Sequence, residues 1–132
     1  MNNAQTFNVA TFLRDIILGM SDYLGIDTII CESSKLDRDK TLRGEKRIID
    51  ICKNFKCDHY INAIGGVSLY RNEAFESEDI KLSFLKTDKI EYKQFDGEFY
   101  ENLSILDLLM FNSITDVKKM LNKFELINSV EN

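Results

Sequence analysis

Helical and strand-like hydrophobic patterns alternate along this sequence, and this alternation constrains the fold more than any other feature. Residues 9–24 carry apolar side chains at helical spacing, and Gly25 follows where a helix C-cap requires positive φ. Further helices are expected over residues 42–55 (with Thr41 as N-cap), from about Asn72, over 103–111 and over 115–124. Strands are expected over residues 28–31, 59–61 and 80–85, and an extended segment over 90–100 with a turn at Asp96-Gly97.

Strands separated by helices favour parallel pairing with right-handed crossovers. The predicted fold class is therefore α/β: a small, three-stranded, mostly parallel sheet, like half of a Rossmann fold, flanked by helices. The length of 132 residues predicts a single domain over residues 1–132.

Charge and composition exclude several classes of protein. A net charge of −5 disfavours nucleic acid as a partner. No apolar run approaches the roughly 20 residues of a membrane helix, so no membrane partner is expected. The N-terminal residues lack the pattern of a signal peptide, and the three cysteines form no ligand pattern. We therefore expect reduced thiols, no metal and a cytoplasmic location.

A basic cluster interrupts the acidic background at Lys35, Arg38, Lys40, Arg43, Lys46 and Arg47. A solvated loop and helix start explains it, and an anion-binding rim is the alternative.

The glycine pair in "HYINAIGGVSLY" follows the predicted strand that begins at His59. It is either a plain turn that uses positive φ or a place where amide groups hold an anion beyond the end of a parallel strand. Asn62, Gly65, Gly66 and Ser68 would then face the ligand. Neither a G-x-G-x-x-G nor a Walker pattern is present.

A second candidate is "ENLSILDLLMFN", where Asn102 or Ser104 can cap the helix and Ser104 with Asp107 resembles a capping box. The alternative is that Asn102 and Ser104 face a ligand across from the glycine pair. His59, the one histidine, is expected to be a packed or edge residue rather than a catalytic one.

Four stretches in register resemble the WbqC-like family of bacterial proteins: "YLGIDTIICESSKL", "LRGEKRIIDICK", "YINAIGGVSLY" and "IEYKQFDGEFYENLSILDLLMFNS". The resemblance runs from about Asn8 to Leu126. Glu101 and Ala63 stand where the family commonly has proline. The resemblance implies a set of ligand-binding residues and assigns no catalytic residue. The set is Arg47, Asn62, Gly65, Gly66, Tyr70, Gln94, Asn102, Ser104 and Asp107.

The resemblance also implies a function. It indicates the ligand-binding half of an acyl or aminoacyl (glycine) transferase that acts on an amino sugar in surface polysaccharide (O-antigen) biosynthesis. The chain looks like the C-terminal portion of the family fold, so the expected partners are a missing N-terminal half or a second copy, and a sugar or nucleotide ligand. A nucleotide is the cofactor that an analogy with carboxylate-activating folds implies. The alternatives are a non-catalytic truncated module that needs a partner chain and a stand-alone nucleotide-binding domain.

Overall fold

A computed structural model describes residues 8–95 and 97–128 of the chain. The chain divides into two compact units, residues 1–36 and residues 37–132. Helix α1 (Val9–Leu24) belongs to the first unit and confirms the first predicted helix. The side chain of Asn8 accepts hydrogen bonds from the amides of Ala10 and Thr11, and Gly25 ends the helix at a φ of 63° as expected.

The predicted first strand is wrong. Residues 28–31 have no regular secondary structure and belong to no sheet of the described chain, and Ile29 is 88% exposed. Their β-branched composition predicts a strand, but such a segment becomes one only when a neighbouring strand accepts its backbone hydrogen bonds. A single 3₁₀ turn, Ser33–Lys35, follows this segment.

The second unit begins with a polar loop and helix α2 (Gly44–Asn54). The predicted N-cap, Thr41, is wrong because the helix starts later and has Arg43 at its N-cap. Thr41 instead bonds Asp39 Oδ1 through its amide at 2.8 Å and its hydroxyl at 2.6 Å. The loop thereby closes on itself before the helix begins.

The remaining elements of the second unit follow the predicted order up to its last helix. They are β1 (His59–Ala63), a 3₁₀ segment (Ile64–Leu69), α3 (Asn72–Glu76), β2 (Lys81–Thr87), α4 (Ile105–Phe111), α5 (Ile114–Leu121) and β3 (Phe124–Ile127). The predicted helix over 115–124 therefore ends early. Phe124 fits the apolar spacing of that helix but instead begins a strand, because the free edge of β2 pairs with it.

The sheet has the strand order β1-β2-β3 and is mixed rather than mostly parallel. Strands β1 and β2 are parallel, with Asn62 opposite Phe84. Strands β2 and β3 are antiparallel, with Phe84 opposite Ile127. The predicted number of strands is right, but the third strand comes from the C-terminal segment, which approaches β2 from the opposite direction.

Strand β2 is the centre of the core. Ile80, Leu82 and Phe84 are buried, as their alternation predicts, together with Ile49, Cys52 and Phe75 from the helices. Ser83, on the other face of β2, is also buried, and its hydroxyl lies 3.0 Å from His59 Nε2. His59 therefore lies on the edge strand β1 with its ring against β2, which confirms the expected packed or edge position.

The parallel pair determines where a ligand site can lie. The carboxyl ends of β1 and β2 meet at one edge of the sheet, so the 3₁₀ segment and the residues after Thr87 emerge on the same side. In the described residues, no helix is long and apolar enough to cross a membrane. Those residues also contain no cluster of His, Cys, Asp or Glu side chains suited to a metal ion.

Candidate functional site

A cavity of about 520 Å³ lies at the carboxyl end of β2. Its walls come from the end of β2, from the irregular segment after it, from the start of α4 and from α5. The lining residues are Thr87, Asp88, Lys89, Ile90, Tyr92, Phe99, Glu101, Asn102, Leu103, Ser104, Ile105, Leu108 and Leu121. The lining mixes apolar side chains with a few polar groups, which is typical of a small-molecule site.

Tyr92 fixes one wall of this cavity. Its hydroxyl donates a 2.5 Å hydrogen bond to Asp107 Oδ2, and its ring contacts Phe99 edge to face with the ring centres 5.5 Å apart. The bond to the carboxylate raises the pKa of the Tyr92 phenol, and desolvation adds to the effect. The irregular segment between β2 and α4 is thereby joined to α4 by a hydrogen bond to the charged Asp107 carboxylate.

Two of the predicted site residues, Asn102 and Ser104, line the cavity together. Ser104 caps α4, because its Oγ accepts from the amide of Leu106 at 3.2 Å. Asn102 adopts a positive φ of 57°, a conformation that asparagine tolerates better than most residues. The predicted capping box is incomplete, since the carboxylate of Asp107 accepts from Tyr92 instead of returning to the cap.

Lys89 and Glu101 form an ion pair at the cavity wall. Lys89 Nζ lies 3.0 Å from Glu101 Oε1 and 2.9 Å from Glu91 Oε1. The hydrogen bonds to Glu91 and then to Glu101 raise the pKa of the Lys89 ammonium. The sequence interpretation did not select Lys89, Asp88 or Glu101 as site residues. The sequence signal of Asp88 and Lys89 is a pair of charges directly after a buried strand, and Glu101 directly precedes the predicted site residue Asn102.

Gln94 closes the loop beside the cavity. Its Nε2 donates to the carbonyl of Tyr100, and its Oε1 accepts from the amide of Tyr100, each at 2.9 Å. The Gln94 side chain thus satisfies both backbone groups of Tyr100, as a neighbouring strand would do in a sheet. The predicted turn at Asp96-Gly97 includes Asp96, which lies outside the described residues.

The glycine pair lies in the 3₁₀ segment that leaves β1, and neither glycine has a positive φ. The plain-turn interpretation through positive φ is therefore wrong. Gly66 is instead in close contact with its neighbours, because a Cβ there would meet the side-chain amide of Asn62, which would have to move, and would lie 3.5 Å from a ring carbon of Tyr70. A Cβ at Gly65 would meet open space.

The family model of the WbqC-like protein family matches residues 1–119 of the 132. The chain belongs to this family. No curated protein matches the chain, and no solved structure does.

In this WbqC-like protein, Tyr70 is part of the core packing. Its ring contacts Tyr60 and Phe75 edge to face at centre distances of 5.8 and 5.9 Å. Burial and the neighbouring Tyr70 hydroxyl raise the pKa of Tyr60. Asn62, Gly66 and Tyr70 therefore form one packed group at the end of β1.

Arg47 lies in α2, two positions from Glu45, and residues two apart point to different sides of a helix. Glu45 accepts hydrogen bonds from the backbone and guanidinium of Arg71, which follows the 3₁₀ segment. Arg47 shares its face with Asp50, and Arg47 Nε and Asp50 Oδ2 are buried without a hydrogen-bond partner in the described residues. Glu45, rather than Arg47, therefore bonds the segment that follows the glycine pair.

The basic cluster of the WbqC-like protein bonds mainly to its own loop. Arg43 Nη1 donates to the carbonyl of Leu42 at 2.9 Å, and Arg38 Nη1 donates to the carbonyl of Asp39 at 3.2 Å. These contacts fit the interpretation as a solvated loop.

Six of the nine predicted site residues thus fall into two groups, which lie at or after the ends of the parallel strands β1 and β2. One group contains Asn102 and Ser104 at the cavity, with Asp107 joined to it through Tyr92. The other is the packed group of Asn62, Gly66 and Tyr70, which is not among the residues that line the cavity. That Asn102 and Ser104 face a ligand across from the glycine pair remains a prediction.

Proposed function

We propose that this WbqC-like protein is the ligand-binding part of an acyl or aminoacyl (glycine) transferase of surface polysaccharide biosynthesis, and that an amino sugar of the O-antigen type occupies the cavity. Its family resemblance implies this class of reaction. The observation that carries the proposal is the cavity at the carboxyl end of β2, whose volume of about 520 Å³ fits a sugar-sized ligand.

The lining suits a sugar ring. Phe99 and Leu103 offer apolar surface to the less polar face of the ring, while Asn102 and Ser104 offer hydrogen bonds to its hydroxyl groups. Ser104 Oγ accepts from the helix amide and retains its O–H for donation. Among the described residues none bonds the side chain of Asn102, so its amide keeps both donor and acceptor for a ligand.

The proposal also gives a role to the 3₁₀ segment that contains the glycine pair, and to Arg47. The amides that leave β1 at Gly65 and the guanidinium of Arg47 would hold a phosphate or carboxylate, and a nucleotide is the cofactor that such groups fit. The position of the segment beyond a parallel strand supports this role. The free thiols of the chain support the cytoplasm as the proposed compartment.

The experiment is a ¹⁵N NMR titration of the purified chain with amino sugars, nucleotide sugars and nucleotides. We expect the NMR signals of the amides of residues 99–105 to shift. We expect Asn102→Gly to weaken sugar binding about tenfold, because roughly one to two hydrogen bonds between the Asn102 side chain and the sugar are lost. Glycine accepts the positive φ of this position, so the fold should persist.

Lys56→Gly is the matched control, because Lys56 also has a positive φ (54°) and lies outside the cavity. Equal weakening by both variants, or no shift with any of the compounds, contradicts the proposal.

A non-catalytic module that needs a partner chain is the second candidate. The observation that favours it is the apolar face of α1, on which Val9, Leu13 and Ile17 are exposed. The partner would be an N-terminal half carried on another chain or a second copy of this chain. Nucleotide binding by the chain alone, with no response to sugars, would instead favour a stand-alone nucleotide-binding domain.

A further inference from the structure

We infer that the cavity recognises a primary ammonium group through Glu101, and that the ligand ammonium takes the place that the Lys89 side chain fills in the unliganded chain. This inference rests on the proposed function, and it names the charged group by which the sugar is selected. It concerns two residues, Lys89 and Glu101, that the sequence interpretation did not include in the site.

The geometry already contains an ammonium ion between two carboxylates. Lys89 Nζ lies 2.9 Å from Glu91 Oε1 and 3.0 Å from Glu101 Oε1, and both Lys89 and Glu101 line the cavity. These distances are those of charge-assisted hydrogen bonds. A ligand amine that enters the cavity meets the same acceptor oxygen of Glu101 with the same chemistry.

The Lys89 contacts are easily exchanged. The side chains of Lys89, Glu91 and Glu101 are 63%, 65% and 53% exposed. Ion pairs at such exposure contribute little to stability, and a lysine side chain has several rotatable bonds by which it can move into solvent. Replacement of one ammonium by another therefore costs the protein little.

Charge at the wall favours a cation over an anion once Lys89 has moved. Asp88 and Glu101 line the cavity, and Lys89 is the one basic residue among its lining residues. Without the lysine, the wall carries carboxylates alone, which repel a phosphate and attract an amine.

The test compares D-glucosamine with D-glucose and N-acetylglucosamine, which have a similar ring but no cationic amine. Binding is followed by ¹⁵N NMR of the folded chain at neutral pH. We expect glucosamine to bind about threefold more tightly than either neutral sugar, and Lys89→Met to increase that preference about threefold further, because the internal competitor is gone. We expect Glu101→Gln to abolish the preference.

Lys86 and Glu125 provide matched controls, since they form an exposed ion pair at 2.7 Å and do not line the cavity. Lys86→Met and Glu125→Gln should leave the preference unchanged. Equal affinity for all three sugars, or weaker glucosamine binding in Lys89→Met, overturns the inference and leaves the proposed function intact. Absence of any sugar binding overturns both.

Discussion

The hydroxyl of Tyr92 and the carboxylate of Asp107 are joined by a 2.5 Å hydrogen bond that connects an irregular segment to helix α4. Both side chains are half-buried, and Tyr92 also lines the cavity. The bond raises the pKa of the phenol, so its contribution to stability is complete below the ordinary tyrosine pKa of about 10 and is lost as the pH rises above it. At neutral pH the phenol therefore keeps the proton that it donates to Asp107.

Tyr92→Phe removes this bond and leaves an oxygen of Asp107 without its partner. We expect the free energy of unfolding to fall by about 1–2 kcal/mol, the range for a hydrogen bond to a charged group at a partly exposed position. Urea denaturation at neutral pH measures it. Tyr100→Phe is the control, because the bonds of Tyr100 to Gln94 use its backbone. Equal stability of the two variants would contradict a role for the Tyr92 hydroxyl.

Gly66→Ala tests the close contact at the end of β1. The added methyl group would collide with the side-chain amide of Asn62, so the asparagine must move or the strand end must shift. We expect a loss of about 1–3 kcal/mol in the free energy of unfolding, as for other overpacked sites. Gly65→Ala is the control, since its Cβ would meet open space.

A second variant identifies the cause of that loss. Combining Gly66→Ala with Asn62→Ala removes the side chain that the methyl group would strike, and a double-mutant cycle should then show a favourable coupling energy. Purely additive effects would show that Asn62 is not the obstacle.

The spacing of apolar residues within a segment correctly predicted helix α1 and strand β2. Helix α1 and its Gly25 cap follow from apolar spacing and a glycine at positive φ, both of which are read within one segment. The buried alternation of Ile80, Leu82 and Phe84 likewise identifies β2 as the core strand. These features do not depend on which other segment lies beside them.

Pairing between distant segments was not predictable in the same way. Residues 28–31 and 124–127 both have strand-like composition, and the second group becomes β3 because it pairs with β2. At the site, the capping role of Ser104 followed from its position before an apolar run, whereas the bond between Tyr92 and Asp107 joins residues 15 positions apart. Spacing alone does not specify such a contact.

The ion pair between Glu45 and Arg71 predicts a dependence of stability on acid pH. The hydrogen bonds from Arg71 lower the pKa of the Glu45 carboxyl. A lowered pKa stabilises the fold above the unfolded value of about 4.3, and this contribution is lost as the pH falls through the folded value. Glu45→Gln should therefore be less stable than the parent at pH 7, and the difference between them should be smaller at about pH 3.

Urea denaturation at the two pH values measures this difference. The effect will be small because Arg71 is 74% exposed. Glu76→Gln is the control, since the Glu76 side chain is exposed and has no ion pair with a described residue. A difference between parent and Glu45→Gln that persists unchanged at low pH would show that the carboxyl charge is not its cause.

The apolar face of α1 gives the last prediction. Of its 16 residues only Leu24 is buried in the described structure, and an isolated helix of this length is marginal in water, so we expect another chain to cover this face. Leu13→Gln, on the apolar face, should reduce self-association of the chain measured by light scattering across a range of concentrations. Leu18→Gln is the control, because Leu18 is similarly exposed (42% against 51%) but lies five residues on, roughly 140° around the helix. A parent chain that stays monomeric at every concentration contradicts a second copy as the cover of this face.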